Sequence, residues 1–467
     1  MEQALMQMVS IYPSKNQVDW QALGFTAFLH YGINTFTNRE WGDGKEDPAI
    51  YNPSNLDTDQ WCKALKAAGV TACIITAKHH DGFCLFDTAH TKHSVMYSPK
   101  PVDVVAALGA SCTMYGLKMG VYLSPWDRNA PTYGSGKAYD DYFCAQLEEL
   151  TTKYGPLYSL WFDGACGEGP NGKKQIYDWA RYYALIRKNQ PQAVIAVCGP
   201  DVRWIGNEAG YTRPSEWSVV PARMRNTEAT AALSQQQDDS AFRERPISSQ
   251  DEDLGSRGFL QNEMALGGEL CWYPAEVDVS IRPGWFYHKE EDGAVRSLEN
   301  LLDIYEKSVG GNAVLLLNIP PDTTGQLNKA DADRLKELGN KIAAIYTNNL
   351  LEDATTNVGQ NILQDNQDYW LGNNESEEIT IQLPAAKALT HIVLCEQVLQ
   401  SQRVEAFTIL AEADGNWQNI YSGTTIGFKK ICRFPPVSTK SIRIVINQSR
   451  IAPTIRYIAG HYDAPGI

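Results

Sequence analysis

The sequence predicts an α/β protein: a TIM-type (β/α)8-like barrel followed by a C-terminal all-β sandwich. Three observations carry this. Up to about residue 345, short apolar runs alternate with amphipathic stretches. Polar, aromatic or Gly residues end each run, and no glycine-rich phosphate loop follows the first, which favours a barrel over an open doubly wound sheet. Beyond that point the pattern changes to short alternating runs separated by turns.

Candidate barrel strands, in order, are 25–30, 73–77, 119–123, 158–162, 193–198, 270–273 and 313–317, close to the eight that a closed barrel needs. The last is preceded by a helical pattern, Leu298, Leu301, Leu302, Tyr305 and Val309, that ends at Gly310-Gly311, where glycine can take the left-handed capping conformation. Residues 221–261 are polar and rich in Ser, Gln, Arg and Asp, and read as a long irregular surface loop near the active face. A helix around 331–346 then gives way to the runs 379–383, 392–394, 407–409 and 442–446, with turns such as Asp414-Gly415-Asn416. The expected domains are therefore 1–346, the barrel, and 347–467, the sandwich.

Composition narrows the function. With 467 residues, two domains are the sensible expectation. A formal net charge of −14 repels phosphate backbones and argues against nucleic acid; it fits a neutral ligand held by hydrogen bonds and stacking. Twelve Trp add apolar ring faces on which the C–H face of a sugar can pack. No apolar run is long enough to span a bilayer. The ten Cys are scattered without the close spacing of a zinc or redox motif and read as buried free thiols. Residues 1–20 lack the basic start and apolar core of a signal peptide, so the compartment stays open.

The residues that could do chemistry cluster at predicted strand ends. In Leu160-Trp161-Phe162-Asp163-Gly164 a lone carboxylate ends an apolar run where a strand hands over to a loop; it is either a nucleophile or a turn Asp bonded to its own backbone. A second carboxyl follows a later run as Glu208, with Glu216 as its competitor, and spacing alone does not choose between them. Two such carboxyl groups suffice to cleave a glycosidic bond. Lys78-His79-His80-Asp81-Gly82-Phe83 offers two histidines as donors to sugar hydroxyls; the alternative is that one of them merely satisfies a buried backbone group. His30-Tyr31-Gly32, Glu40-Trp41 and Tyr122 with Ser124-Pro125-Trp126 add donors, acceptors and aromatic platforms. A metal site is disfavoured, since zinc usually draws on spaced ligands and no HExxH or Cys cluster completes one.

In that order these motifs resemble those of glycoside hydrolase family 29, the α-L-fucosidases, over roughly residues 20–345. The resemblance implies that Asp163 is the nucleophile and Glu208 the acid/base, with Glu216 a second choice. It implies that His30, Glu40, Trp41, His79, His80, Tyr122 and Trp161 bind fucose, and that Trp285 packs against the sugar. Arg203-Trp204-Ile205-Gly206-Asn207-Glu208 and Ile281-Arg282-Pro283-Gly284-Trp285-Phe286-Tyr287-His288 resemble the subfamily that prefers α-1,3/1,4-linked fucose on Lewis-type glycans. The C-terminal part resembles the discoidin-like, carbohydrate-binding-module-like sandwiches that often follow this catalytic domain.

The expected function is thus a retaining exo-α-L-fucosidase that acts on fucosylated oligosaccharides or glycoconjugates and needs no metal or organic cofactor. Its alternatives are a fucosidase of broader linkage specificity, a catalytically weak lectin-like fucose binder, and a metal-dependent hydrolase using His30, His79 and His80. A pure binder has no use for a protonated Glu beside an ionised Asp, and a metal enzyme would lose activity to chelators. Periplasmic or secreted location is expected, because conjugated glycans are met outside the cytoplasm. The cytoplasm is the alternative, and the oligomeric state is open.

Overall fold

The computed structural model describes residues 2–234 and 253–464. Eight parallel strands form a nearly closed barrel: β1 Phe25–Leu29, β2 Ala72–Lys78, β3 Lys118–Leu123, β4 Leu157–Phe162, β5 Val194–Val197, β6 Arg203–Trp204, β7 Ala275–Ser280 and β8 Ala313–Asn318. Their spatial order is β5-β4-β3-β2-β1-β8-β7-β6, and a single parallel bridge, Ala196 with Val202, joins the two free edges.

Strand alternation builds two layers. Ala27, Cys73, Val121, Leu160, Ile195, Val277 and Leu315 belong to the core shared with the outer helices. Their neighbours Phe28, Ile74, Tyr122, Trp161, Ala196 and Leu316 form the cluster inside the barrel. The helices start where short polar side chains accept backbone N–H bonds: Asp57 before Thr58–Ala67, Asp103 before Val104–Tyr115, Asp178 before Trp179–Asn189, Ser297 before Leu298–Ser308 and Asn328 before Lys329–Tyr346.

Three sequence expectations need correction. The run 270–273 is no barrel strand: Leu270–Trp272 pairs antiparallel with Val219–Pro221. The barrel strand is β7, just beyond Pro274, whose buried Glu276 and Asp278 read in sequence as a solvent-facing alternation. β6 is only two residues long and leaves no run to detect. Residues 221–261 are not irregular throughout. Thr227–Ser234 and Arg257–Ala265 are helical, while the middle of the segment, 235–252, lies outside the described residues. The expected placement of that segment near the active face does hold for its first helix, because any side chain at Gly164 would run into Ser234.

After Tyr346 the chain becomes antiparallel β structure. The 20-residue strands Glu377–Glu396 and Lys430–Ser449 pair along most of their length, and Val404–Ala413, Asn416–Gly423, Thr454–His461 and the two-residue strands Thr355–Thr356 and Trp370–Leu371 complete the seven-stranded sheet. Its own core of Ile, Leu and Phe residues is separate from that of the barrel. Buried polar contacts tie the two together: His391 and Arg433 meet the Glu306 carboxylate at 3.2 and 2.9 Å. Among the described residues no helix is long and apolar enough to cross a membrane. All ten cysteines are free and, Cys166 apart, buried.

Candidate active site

The C-terminal ends of the barrel strands collect the chemistry-bearing side chains. Asp163 stands one residue past β4. Its Oδ1 accepts the Ala165 N–H at 2.9 Å and its Oδ2 accepts the Tyr122 hydroxyl, from the end of β3, at 3.0 Å. The first bond is the Asp-Gly turn that the sequence offered as a bland alternative, and here it also orients the carboxylate. The ring nitrogen Nε2 of His80 lies 3.7 Å from the same Oδ2.

His30, His79 and His80 are buried and packed within ring-stacking reach of one another, with His79 and His80 centroids 4.1 Å apart. Burial pushes His30 and His80 down to about 4 and His79 well below its ordinary value, so all three are neutral near pH 7. Their tautomers follow from their partners. Asn318 at the end of β8 donates its amide to Ser280 Oγ and Trp285 O, so its Oδ1 must accept from His30 Nδ1, 2.9 Å away. Ser124 donates its hydroxyl to Trp126 O and therefore accepts from His80 Nδ1 at 2.7 Å. In both rings Nε2 is left as an acceptor, suited to a hydroxyl donor rather than an anion. His79 Nδ1 lies 3.5 Å from the Asn34 amide. Lys78 of the same motif points away, buried against Asp127 and Gln146 at 2.9 and 3.0 Å, and serves the fold.

Aromatic walls surround this set. Trp161 stacks on Tyr122 with centroids 5.2 Å apart, but its indole N–H is taken by Glu276 Oε1 at 2.7 Å, so a ligand meets only the ring. Trp41 is 47% exposed, edge-on to His80 and Trp126, and forms an open rim. Trp285 is half-buried, 5.1 Å from the His30 ring, and donates its indole N–H to Glu208 Oε2 at 3.2 Å.

Glu208 and Glu216 separate cleanly. Glu216 is 1% exposed, ion-paired with Arg203 and, at 3.3 Å, with Arg213. Burial pushes its carboxyl up, but the two guanidiniums more than offset that and hold it below the usual range. A carboxylate fixed in that state cannot deliver a proton. Removing it would strand two buried cations, a loss of about 3–5 kcal/mol. Glu208 is half-buried at the tip of the loop after β6, and its neighbours are of the opposite kind. Asp278 on β7, bonded to the Trp204 indole at 2.6 Å, is coupled electrostatically to Glu208. Burial first, then Glu208 and Glu276, push Asp278 well up, and burial pushes Glu276 to about 7. Buried carboxyls this close together favour the protonated form of Asp278 and Glu276.

Glu40 has a second task besides any contact with ligand. Its carboxylate accepts the backbone N–H of Trp285 and of Phe286 and bonds His288 Nε2 at 2.7 Å, strapping the loop after β1 to the loop after β7. Burial pushes Glu40 up, but His288 and the two N–H groups hold it below its usual range; the Glu40 bond raises His288. A raised His contributes stability that is complete below its unfolded pKa of about 6.5 and is lost as pH rises through the folded value. The melting temperature of the wild type should therefore exceed that of a His288→Gln variant most at pH 6, and the gap should shrink towards pH 9. A gap independent of pH across that range would show that the strap is not ionic.

Sequence reasoning missed several of these partners. Asn318, Ser124, Asn34 and His288 set the orientation of the pocket side chains; Ser124 and His288 stand in motifs the sequence offered but without this role, and Asn318, a polar residue ending an apolar run, had a strand-end signal. Glu276 and Asp278 were hidden because a buried acid looks like an exposed one in sequence. Among the described residues no three or more of His, Cys, Asp or Glu are grouped to hold a metal ion.

A barrel whose C-terminal mouth carries an oriented carboxylate, a second carboxyl beside buried acids, neutral imidazoles and indole walls has the site of a glycoside hydrolase. Comparison with known proteins makes this particular. The alpha-L-fucosidase family profile matches residues 11–344 and the F5/8 type C domain profile matches 343–457. The chain is 36% identical to Alpha-L-fucosidase 1 of Arabidopsis thaliana, over 97% of this chain and 87% of that one. A solved Bacteroides ovatus structure is 46% identical with a TM-score of 0.88, covering 99% of this chain and 76% of that one. The Ruminococcus gnavus GH29 fucosidase, solved in complex with fucose, is 29% identical with a TM-score of 0.82, covering 97% and 95%. This chain belongs to the alpha-L-fucosidase family, glycoside hydrolase family 29.

Proposed function

We propose that the enzyme is a retaining exo-α-L-fucosidase that removes terminal α-1,3/1,4-linked fucose from Lewis-type oligosaccharides or glycoconjugates, with Asp163 as nucleophile and Glu208 as acid/base. The observation that carries this reading is the setting of the two carboxyls: hydrogen-bond donors from Tyr122 and the Ala165 N–H at Asp163, and a buried acidic neighbour, Asp278, at Glu208. In the first step Asp163 attacks the anomeric carbon, the glycosidic C–O bond breaks, and Glu208 passes its proton to the departing oxygen. The covalent ester removes the negative charge at Asp163. Glu208, now ionised, takes a proton from water as that water attacks the same carbon, and Asp163 leaves as carboxylate.

Fucose carries no ionic group, which suits a pocket of neutral imidazoles that accept hydroxyl protons. Trp161, Trp41 and Trp285 supply apolar walls for the sugar ring and its methyl, and His79 and Glu40 add polar contacts. No step calls for a metal or organic cofactor. The division into a catalytic unit, 1–346, and a sandwich, 347–467, and a periplasmic or secreted location are part of the same proposal.

Proton NMR of early time points tests mechanism and linkage together. A Lewis trisaccharide should release α-fucose first, faster than 2'-fucosylated lactose or an aryl fucoside releases its sugar. First appearance of β-fucose would sink retention, and equal rates on the three substrates would sink the linkage preference.

A further inference from the structure

The loop that carries Glu208 leaves β6 at Trp204 and returns at Ser218, without a strand partner in between. Near its tip Asn207 accepts the Ala209 N–H at 3.0 Å and donates to Tyr211 O at 3.2 Å, Glu208 accepts the Trp285 indole N–H at 3.2 Å, and Thr212 donates its hydroxyl to Lys307 O at 2.7 Å. Gly206 and Gly210 flank the tip with φ of +99° and +90°, and at Gly210 any Cβ would press on Ile304. The far limb, 213–218, is gripped from an unexpected quarter.

Gln402 belongs to the C-terminal sandwich and is fully buried. Its Oε1 accepts the Ser218 N–H at 2.8 Å and its Nε2 donates to the Glu216 carbonyl at 3.1 Å, so both ends of one amide grip two loop residues. The same carbonyl accepts Asn312 Nδ2 at 2.9 Å, and Asn312 Oδ1 accepts the Phe428 N–H of the sandwich at 2.7 Å. Thr424 Oγ1 lies 2.8 Å from Ser215 Oγ and donates to Pro214 O at 3.1 Å. The Arg450 guanidinium sits 4.0 Å over the Trp217 ring. Sandwich residues thus meet every position from 214 to 218, mostly through directional polar bonds. The Glu216 side chain transmits the grip, since its carboxylate holds Arg203 on β6 and Arg213, whose Nη1 reaches Ile205 O at 3.4 Å. Both roots of the loop are therefore locked to one knot, and the knot to the sandwich.

We propose that the C-terminal sandwich is a working part of the catalytic centre: through Gln402 it fixes the loop that presents Glu208, which makes Gln402 a positioning residue for proton transfer to the leaving group. The inference rests on Glu208 being the acid/base. A general acid must lie within hydrogen-bond reach of the departing oxygen, and a displaced loop loses that reach while Asp163, on the separate loop after β4, keeps its bonds to Tyr122 and the Ala165 N–H. The loss then scales with how much the leaving group needs a proton. A sugar alkoxide needs it; fluoride needs little.

The test uses the full chain with Gln402→Met, Thr424→Val and Glu208→Ala, assayed on a fucosylated Lewis trisaccharide and on fucosyl fluoride, with circular dichroism to confirm folding. Gln402→Met should lower kcat/KM, which reports the first step, on the trisaccharide by about tenfold or more and change kcat/KM on the fluoride by less than about twofold. Thr424→Val, at an exposed contact, should show the same separation at smaller amplitude and decides the matter if Gln402→Met does not fold. Equal losses on both substrates, or none, in folded variants overturn the inference, provided Glu208→Ala itself separates the two. If Glu208→Ala fails to separate them, it is the acid/base assignment that falls.

Discussion

Replacing Asp163 with Ala should reduce release of fucose by on the order of 10⁴-fold or more, because the covalent step loses its only nucleophile. The protein should fold normally. The Asp163 side chain is 22% exposed, and a tyrosine hydroxyl and a loop N–H that donate to it can turn to water once it is gone. Azide supplied to this variant should attack an activated α-fucoside from the vacated side and give the β-azide, an inverted product. Residual turnover near that of the wild type, or an azide product of α configuration, would remove Asp163 from the nucleophile's place.

The second large effect is at Glu208, where truncation to Ala should cost about 10²–10⁴ in kcat on oligosaccharides. Here azide should rescue through the opposite route. It intercepts the ester formed on Asp163 and yields the α-azide, with retention. The two variants therefore report on the same covalent intermediate from its two sides, and the configuration of the azide distinguishes them. Rescue of Glu216→Ala alongside failure at Glu208→Ala would reverse the assignment, although a Glu216 held between Arg203 and Arg213 makes that outcome physically unfavourable.

The barrel was readable where its strands are buried on both faces. β1 to β5 and β8 announce themselves as apolar runs such as Ile74-Ile75 and Leu315-Leu316-Leu317. β6 is too short for any periodic signal, and β7 disguises itself by turning two acids into the barrel. The apolar run 270–273 drew the assignment that belonged to its neighbour. Asp163 was legible because a strand end and an Asp-Gly turn are local features. The choice between Glu208 and Glu216 was not, even though Arg203 and Arg213 stand close by in sequence, because which carboxyl they grip is decided by a loop closing in three dimensions. The tautomers of His30 and His80 were out of reach for the same reason: each depends on a partner on another strand, in the case of His30 one 288 residues away.

That separation has a consequence for how the enzyme comes into being. His30 is made early, yet Asn318, which aims its ring, is made 288 residues later, and β1 itself lacks one of its two neighbours until β8 exists. At about 5–20 residues per second, the growing chain carries an unfinished sheet edge for roughly 15–60 s. Gln402 follows later still, 184 residues after Ser218, whose N–H it receives. A nascent or truncated chain that stops before β8 therefore has no half-strength version of this pocket, and premature termination there yields aggregation-prone strand edges rather than a smaller fucosidase.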